Sequence, residues 1–278
     1  MAGRLLEGGM VRAARVRATL DEVELGDHVC WRMDPAASLL TDVRAFVADG
    51  ALYGDKIVVV GGHGDTFHVS REGVPSSSVV LDRSETAGAD SVLAAVRREA
   101  RTAEREGFRS VRVLAERRPI TAHDGVEELL DQELRLDQFA SESGAIVVCA
   151  LRPAQWDGTT LEHVTGVHPH EVGTRAVHPA FRMFSTGADT WSVDGVIDAE
   201  GAPAFSAALR AAVLRAPMLR LCFDALELID AAGMRALVDT VRRVPDHRVL
   251  VEGANDTVRL CWELAGYAGA DLRVVMSA

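Results

Sequence analysis

His28 and Cys30 stand two residues apart in DHVCWR, and alternate residues of a strand point to the same face. Cys149 lies near the end of a second apolar run, AIVVCA, and His168 follows in a Pro-containing stretch. Three or four convergent imidazole and thiolate donors hold zinc or related transition metals. Spacing alone brings only His28 and Cys30 into register, so the sequence assigns no metal. Cys30 and Cys149 read as small buried hydrophobes, and His28 as a side chain bonded to a backbone carbonyl. His163, His168, His170 and His178 lack HExxH or paired-cysteine spacing and read as exposed loop histidines.

Other chemistry is weaker. The loop after IVVV carries Gly61, Gly62 and Gly64 but no GK[ST] ending, and the sole lysine, Lys56, precedes the strand. Nothing there reaches a γ-phosphate or ligates Mg²⁺, so a plain Gly-rich turn is expected. No GxSxG occurs, and Ser76–Ser78 follow Pro75 in a loop pattern. The chain is read as a non-enzyme without a cofactor.

A second stretch, LRLCFDALELIDAAGMRALV over 219–238, joins a strand to a helix. Leu219, Leu221 and Phe223 alternate with polar or smaller residues. Asp230 is an N-cap ahead of Met234, Leu237, Val238 and Val241 at helical spacing. The loop presents Ala231, Ala232 and Gly233 at a helix start, whose unpaired N–H groups favour an anion or an acceptor-bearing partner.

The remaining pattern positions these residues. Residues 1–24 form a loosely helical lead-in. From 25 to 175, short apolar strands at 28–32, 57–60, 78–82, 111–114 and 145–150 alternate with helices. One helix carries Leu39, Leu40, Val43, Phe46 and Val47 and stops near Gly50; others cover 89–106 and 126–142. That alternation predicts an α/β fold with a mainly parallel sheet. Residues 176–190 mix Pro, Gly, Ser and Thr and read as a linker. A second α/β unit, 191–278, opens with a strand and a helix carrying Pro203 in its first turn. Net charge −11 argues against broad nucleic-acid binding. No apolar run approaches the roughly 18–20 residues of a membrane span, and four cysteines without CxxC spacing suit a reducing compartment, so a cytoplasmic location is expected.

The first unit resembles the MEDS sensory-domain family. The likeness rests on HVCW at 28–31, GDKIVVV at 54–60, GFRSVRVLAE at 107–116, LLDQELRLDQF at 129–139, the strand carrying Cys149, and VHP at 167–169. It implies a RecA/KaiC-like parallel-sheet core and a pocket for small hydrocarbon derivatives, with His28, Cys30, Glu133, Cys149 and His168 as candidate ligand contacts. Two tyrosines usual in the family are Gln132 and Leu151 here, which alters the polar lining.

The second unit resembles the STAS domain of bacterial anti-sigma factor antagonists. Asp224, Leu228, Ile229, Asp230, Gly233, Arg235 and Leu237 match its signature. The two serines of the family's Asp-Ser-Ser-Gly loop are Ala231 and Ala232, so the usual phosphosite is absent. The family's leading β-hairpin reads as trimmed. Together these resemblances imply a cytoplasmic regulatory protein. A sensor would control a partner-docking loop made of Asp230, Ala231, Ala232, Gly233 and Arg235, and an anti-sigma factor or related switch protein would dock there without phosphorylation. A degenerate nucleotide- or metal-binding enzyme and a homodimerising scaffold are the alternatives.

Overall fold

The computed structural model describes residues 13–33, 39–61, 78–81, 91–119, 125–173, 179–269 and 272–277. Strands β1 (Arg15–Arg17), β2 (His28–Arg32), β3 (Lys56–Val60), β4 (Val79–Leu81), β5 (Val111–Glu116), β6 (Ile146–Leu151) and β7 (His170–Val172) form one sheet ordered β1-β7-β2-β6-β5-β3-β4. Every pairing is parallel. A strand covered on both faces needs no polar alternation, which is why KIVVV and IVVCAL are buried along their whole length.

Helix α1 (Leu39–Tyr53) covers one face, where Val43, Phe46 and Val47 meet Val29, Ile57, Leu114 and Val148. On the other face lie α2 (Ser91–Glu106), α3 (Val126–Ser143) and α4 (Gly158–Gly166), packed over Val58, Val113 and Val147. Gly50 does not end α1. A Cβ there would sit 2.2 Å from Ile57 Cδ1 and 2.9 Å from Arg112 Cδ, so this glycine lets the helix lie close against β3 and β5. The chain leaves the helix at Gly54, whose φ of +75° suits glycine.

Asp55 follows and gathers two arginines, Arg109 just before β5 and Arg112 within it. Arg109 donates to both its oxygens at 2.8 Å, and Arg112 Nε donates to Oδ2 at 2.8 Å. Burial pushes the Asp55 carboxyl up, but those hydrogen bonds and charges outweigh it and hold the group below the ordinary aspartate range.

The second sheet contains β8 (Phe181–Ser185), β9 (Thr190–Ile197), β10 (Met218–Cys222), β11 (Leu226–Ile229), β12 (Arg248–Glu252) and β13 (Val274–Met276). Its parallel order is β11-β9-β10-β12-β13, with β8 antiparallel to β9. Helices α5 (Ala202–Val213), α6 (Ala231–Arg242) and α7 (Asp256–Leu264) complete it. Pro203 lies in the first turn of α5, and Asn255 caps α7 by accepting from Val258 N at 3.0 Å. Gly195 adopts φ +91° beside a register shift between β11 and β9, and a Cβ there would stand 2.4 Å from Ala180 O.

Three expectations are corrected. The lead-in is not helical at 15–17 but an edge strand, tied down by Arg17 donating to Asp27 Oδ2 at 2.9 Å. The expected linker contains β8, so the leading hairpin read as trimmed is present as the β8–β9 pair. Leu226–Ile229, inside the stretch expected to pass from one strand to a helix, is a strand of its own beside β9. Asp34 and Pro35, whose types predict a turn after the 28–32 strand, and most of the Gly61–Gly64 loop lie outside the described residues. No described helix is long and apolar enough to cross a membrane.

Candidate functional site

Polar residues are rare on the inner stripe of α3, yet Glu133 and Asp137 sit there, one turn apart and fully buried beside Leu130 and Leu134. The stripe faces β2 and its neighbour β6, paired so that His28 lies opposite Val147 and Cys30 opposite Cys149. Alternation therefore turns His28 and Cys149 to the same side. The loop after α4 supplies His168, so the side chains of His28, Glu133, Cys149 and His168 meet in the interior with one donor atom each, all within 4.8 Å of one another.

The contacts are specific. Cys149 donates its thiol to Glu133 Oε2 at 3.2 Å, and its Sγ lies 3.4 Å from His28 Nε2. His28 Nε2 and His168 Nε2 each lie 3.5 Å from Glu133 Oε2. The imidazole rings stack with centroids 4.1 Å apart. Glu133 Oε1 accepts from buried Arg117 Nε. His28 Nδ1 faces Asp137 Oδ1 at 3.7 Å, and Asp137 Oδ2 accepts from Ser185 N at 2.6 Å.

Burial sets the electrostatics. It pushes the Cys149 thiol well above its usual range, and the charge of Glu133 adds to this. It also raises Glu133, but Arg117, His28 and His168 more than reverse it and hold the carboxyl far below its usual range. His168 is pushed down to about 3, first by burial and then by His28. His28 moves the other way: burial lowers it, while Asp137 and Glu133 lift it above the ordinary imidazole value.

Four of the five candidate ligand contacts thus converge: His28, Glu133, Cys149 and His168. Cys30 does not join them. Its Sγ lies 3.9 Å from Thr165 Oγ1, and its thiol is pushed up to about 12, by burial first and by the charge of Glu171 second. The expected backbone bond belongs to His168, whose Nδ1 meets Val164 O at 2.7 Å, rather than to His28. His168 and His170 are buried, against the expectation of exposed loop histidines; His163 is half-buried, and His178 lies outside the described residues. Gln132 accepts from Arg117 at 3.3 Å, and Leu151 is fully buried.

Sequence reasoning missed Asp137, Arg117 and Arg182. The pair Glu133–Asp137 was visible as two carboxylates on an apolar helix stripe; Arg182 had no local signal. It reaches from β8 to donate to His168 O at 2.8 Å and to Glu171 Oε2 at 3.0 Å. Strand β8 therefore grips the site twice, at His168 through Arg182 and at Asp137 through Ser185.

At the other candidate site, Asp230 Oδ1 accepts from Ala232 N at 2.8 Å and Gly233 N at 2.9 Å. The start of α6 is thus satisfied by its own carboxylate and does not offer those N–H groups to an anion. Ala231 and Arg235 are exposed, Ala232 is half-buried and Gly233 is buried. A Cβ on Gly233 would stand 2.7 Å from both Ile197 Cγ2 and Ile229 Cγ1, so close packing explains this glycine.

No curated protein matches the chain. Among solved structures it is similar to the anti-sigma factor antagonist SpoIIAA in its unphosphorylated form, at 15% identity over 36% of this chain and 88% of that one, with a TM-score of 0.28. The family model of the MEDS domain, the methanogen/methylotroph DcmR sensory domain, matches residues 27–169. Every converging donor falls inside that segment, which spans more than half of the sequence, and the chain belongs to the MEDS family.

Proposed function

We propose that this chain is a non-enzymatic regulatory protein in which the buried His28–Glu133–Cys149–His168 cluster is the sensory site. Its state governs docking of an anti-sigma factor or related switch protein at the start of α6. The observation that carries this reading is the double grip of β8 on the cluster. β8 pairs with β9 along its full length, and β9 in turn pairs with β11, which leads directly into Asp230. A change at His28 or His168 therefore has a bonded route to the α6 loop. A ligand uses that route only by binding two arrangements with different affinity.

Helix α3 strengthens the linkage. Its outer side accepts from Arg215 at Asp131 Oδ1 (3.0 Å) and Gln138 Oε1 (3.1 Å), and Glu127 pairs with Arg210 of α5 at 2.7 Å. The docking assignment itself rests on the resemblance of 224–237 to the antagonist signature. Ala231 and Ala232 leave no hydroxyl for phosphate, so the loop keeps the uncharged character of an unphosphorylated docking surface.

Affinity capture with the full chain tests this. Wild type should recover a switch protein from its host, and Ala231→Glu combined with Arg235→Glu should weaken recovery at least tenfold. Both side chains face solvent, so their replacement leaves the fold intact. Undiminished recovery by that variant removes the docking assignment. Gly233→Arg is a poorer probe, because its side chain collides with Ile197 and Ile229.

A further inference from the structure

We propose that His28, Glu133, Cys149 and His168 bind one zinc-class divalent transition-metal ion through Nε2, Oε2, Sγ and Nε2; this rests on reading the cluster as the sensory site. The donor set is one thiolate, two imidazoles and one carboxylate, the borderline-soft mixture that suits zinc or cobalt(II) rather than magnesium or calcium.

The facing of lone pairs is the decisive observation. A carbonyl can only accept, so the bond from His168 Nδ1 to Val164 O fixes the proton on Nδ1 and leaves Nε2 as a bare lone pair. That nitrogen is buried without a hydrogen-bond partner, and it faces Glu133 Oε2, another acceptor. Two acceptors 3.5 Å apart in a dry interior repel and cost free energy unless a cation stands between them.

Space points the same way. Atoms within 4.8 Å of one another leave a centre about 3 Å from each, too close for a carbon atom, which needs about 3.5–4.0 Å. A metal ion needs less. Tetrahedral bonds of 2.0–2.3 Å put ligand atoms roughly 3.3–3.8 Å apart. The contacts at 3.2–3.5 Å already approach that spacing, and the longer ones close by about an ångström.

The surrounding groups have the form of a metal-supporting shell. Val164 O orients His168, Asp137 faces His28 Nδ1, and Arg117 holds the Glu133 oxygen that would not bind metal. As the Sγ–metal bond forms, Cys149 gives its proton to solvent. The buried set of thiolate, Glu133, Asp137, Arg117 and a dication is then electrically neutral with both imidazoles uncharged. Closure of the ligand atoms would draw α3 towards the end of α4, the two places that β8 holds.

Cobalt(II) titration of chelator-treated full-length protein is the test. Wild type should take up one equivalent with a thiolate-to-cobalt absorption band, and one equivalent of zinc should displace it. Cys222→Ala with Cys261→Ala should keep the band, because those half-buried thiols lie outside the cluster. Cys149→Ala should lose it, and Asp137→Asn should weaken binding about 10–100-fold while the band persists. Absence of binding by wild type overturns the metal assignment, as does a band that survives in Cys149→Ala or disappears with the Cys222/Cys261 pair. Partner capture by metal-free protein separates the two readings. A partner recovered without any metal site leaves docking standing alone, and a metal site without a partner leaves only the sensor.

Discussion

Glu133→Gln, measured by urea unfolding in the presence of chelator, is expected to lower stability by about 3–5 kcal/mol. Arg117 is 8% exposed and Glu133 is fully buried, so the guanidinium has no water to replace its lost carboxylate. The amide also fails to match the thiol and imidazole contacts now made to Oε2. Adding Arg117→Met should restore much of the loss, because an apolar chain of similar length removes the stranded charge along with its partner. A loss under about 1 kcal/mol, or no recovery in the double variant, would mean that Arg117 is neutralised elsewhere.

The second large effect is at Asp55. Asp55→Asn should cost about 3 kcal/mol, chiefly by stranding Arg112, which is 4% exposed, whereas Arg109 is 42% exposed and its pair is screened by water. The same variant should show a gentler acid limb. Asp55 titrates below its ordinary value when folded, so its support is complete at neutral pH. It is lost as the pH falls below about 3.9 and through the folded value. The difference between wild type and Asp55→Asn should therefore shrink below pH 4 and stay level above about pH 5. A difference that persists undiminished in acid would show that the carboxylate charge is not what holds the two arginines.

Most of the first sheet was legible because its strands are continuous apolar runs and its helices are amphipathic. His28–Arg32 and Lys56–Val60 need no tertiary information. The short edges were not legible. Arg15–Arg17 and His170–Val172 carry arginine, histidine and glutamate on strands that derive their order from each other. Arg17 and His170 both reach Asp27, a pairing that local sequence does not announce. Strand β8 was hidden in the same way, by the Pro, Gly and Ser around it. The cluster was half legible. Period two aligned His28 with Cys30, yet the structure chooses Cys149 on the neighbouring strand, since the face is shared but the distance is set by α3. Gly50 was read as a helix stop but lies inside the helix, and it and Gly233 mark close approaches between elements, which sequence cannot measure.

The apolar interior runs unbroken from one sheet to the other. Val147, Leu130 and Leu134 belong to the same cluster as Phe181, Phe205, Leu219 and Leu237. Phe181 and Phe205 meet edge to face at 5.9 Å, and Arg215 lies over Trp191 while bonding to α3. Severing the chain after Gly173 would therefore not release two soluble modules. It would bare a greasy seam on each piece, and the pieces would seek each other or aggregate. Heat should accordingly melt the protein in one step, with the two sheets lost at the same temperature.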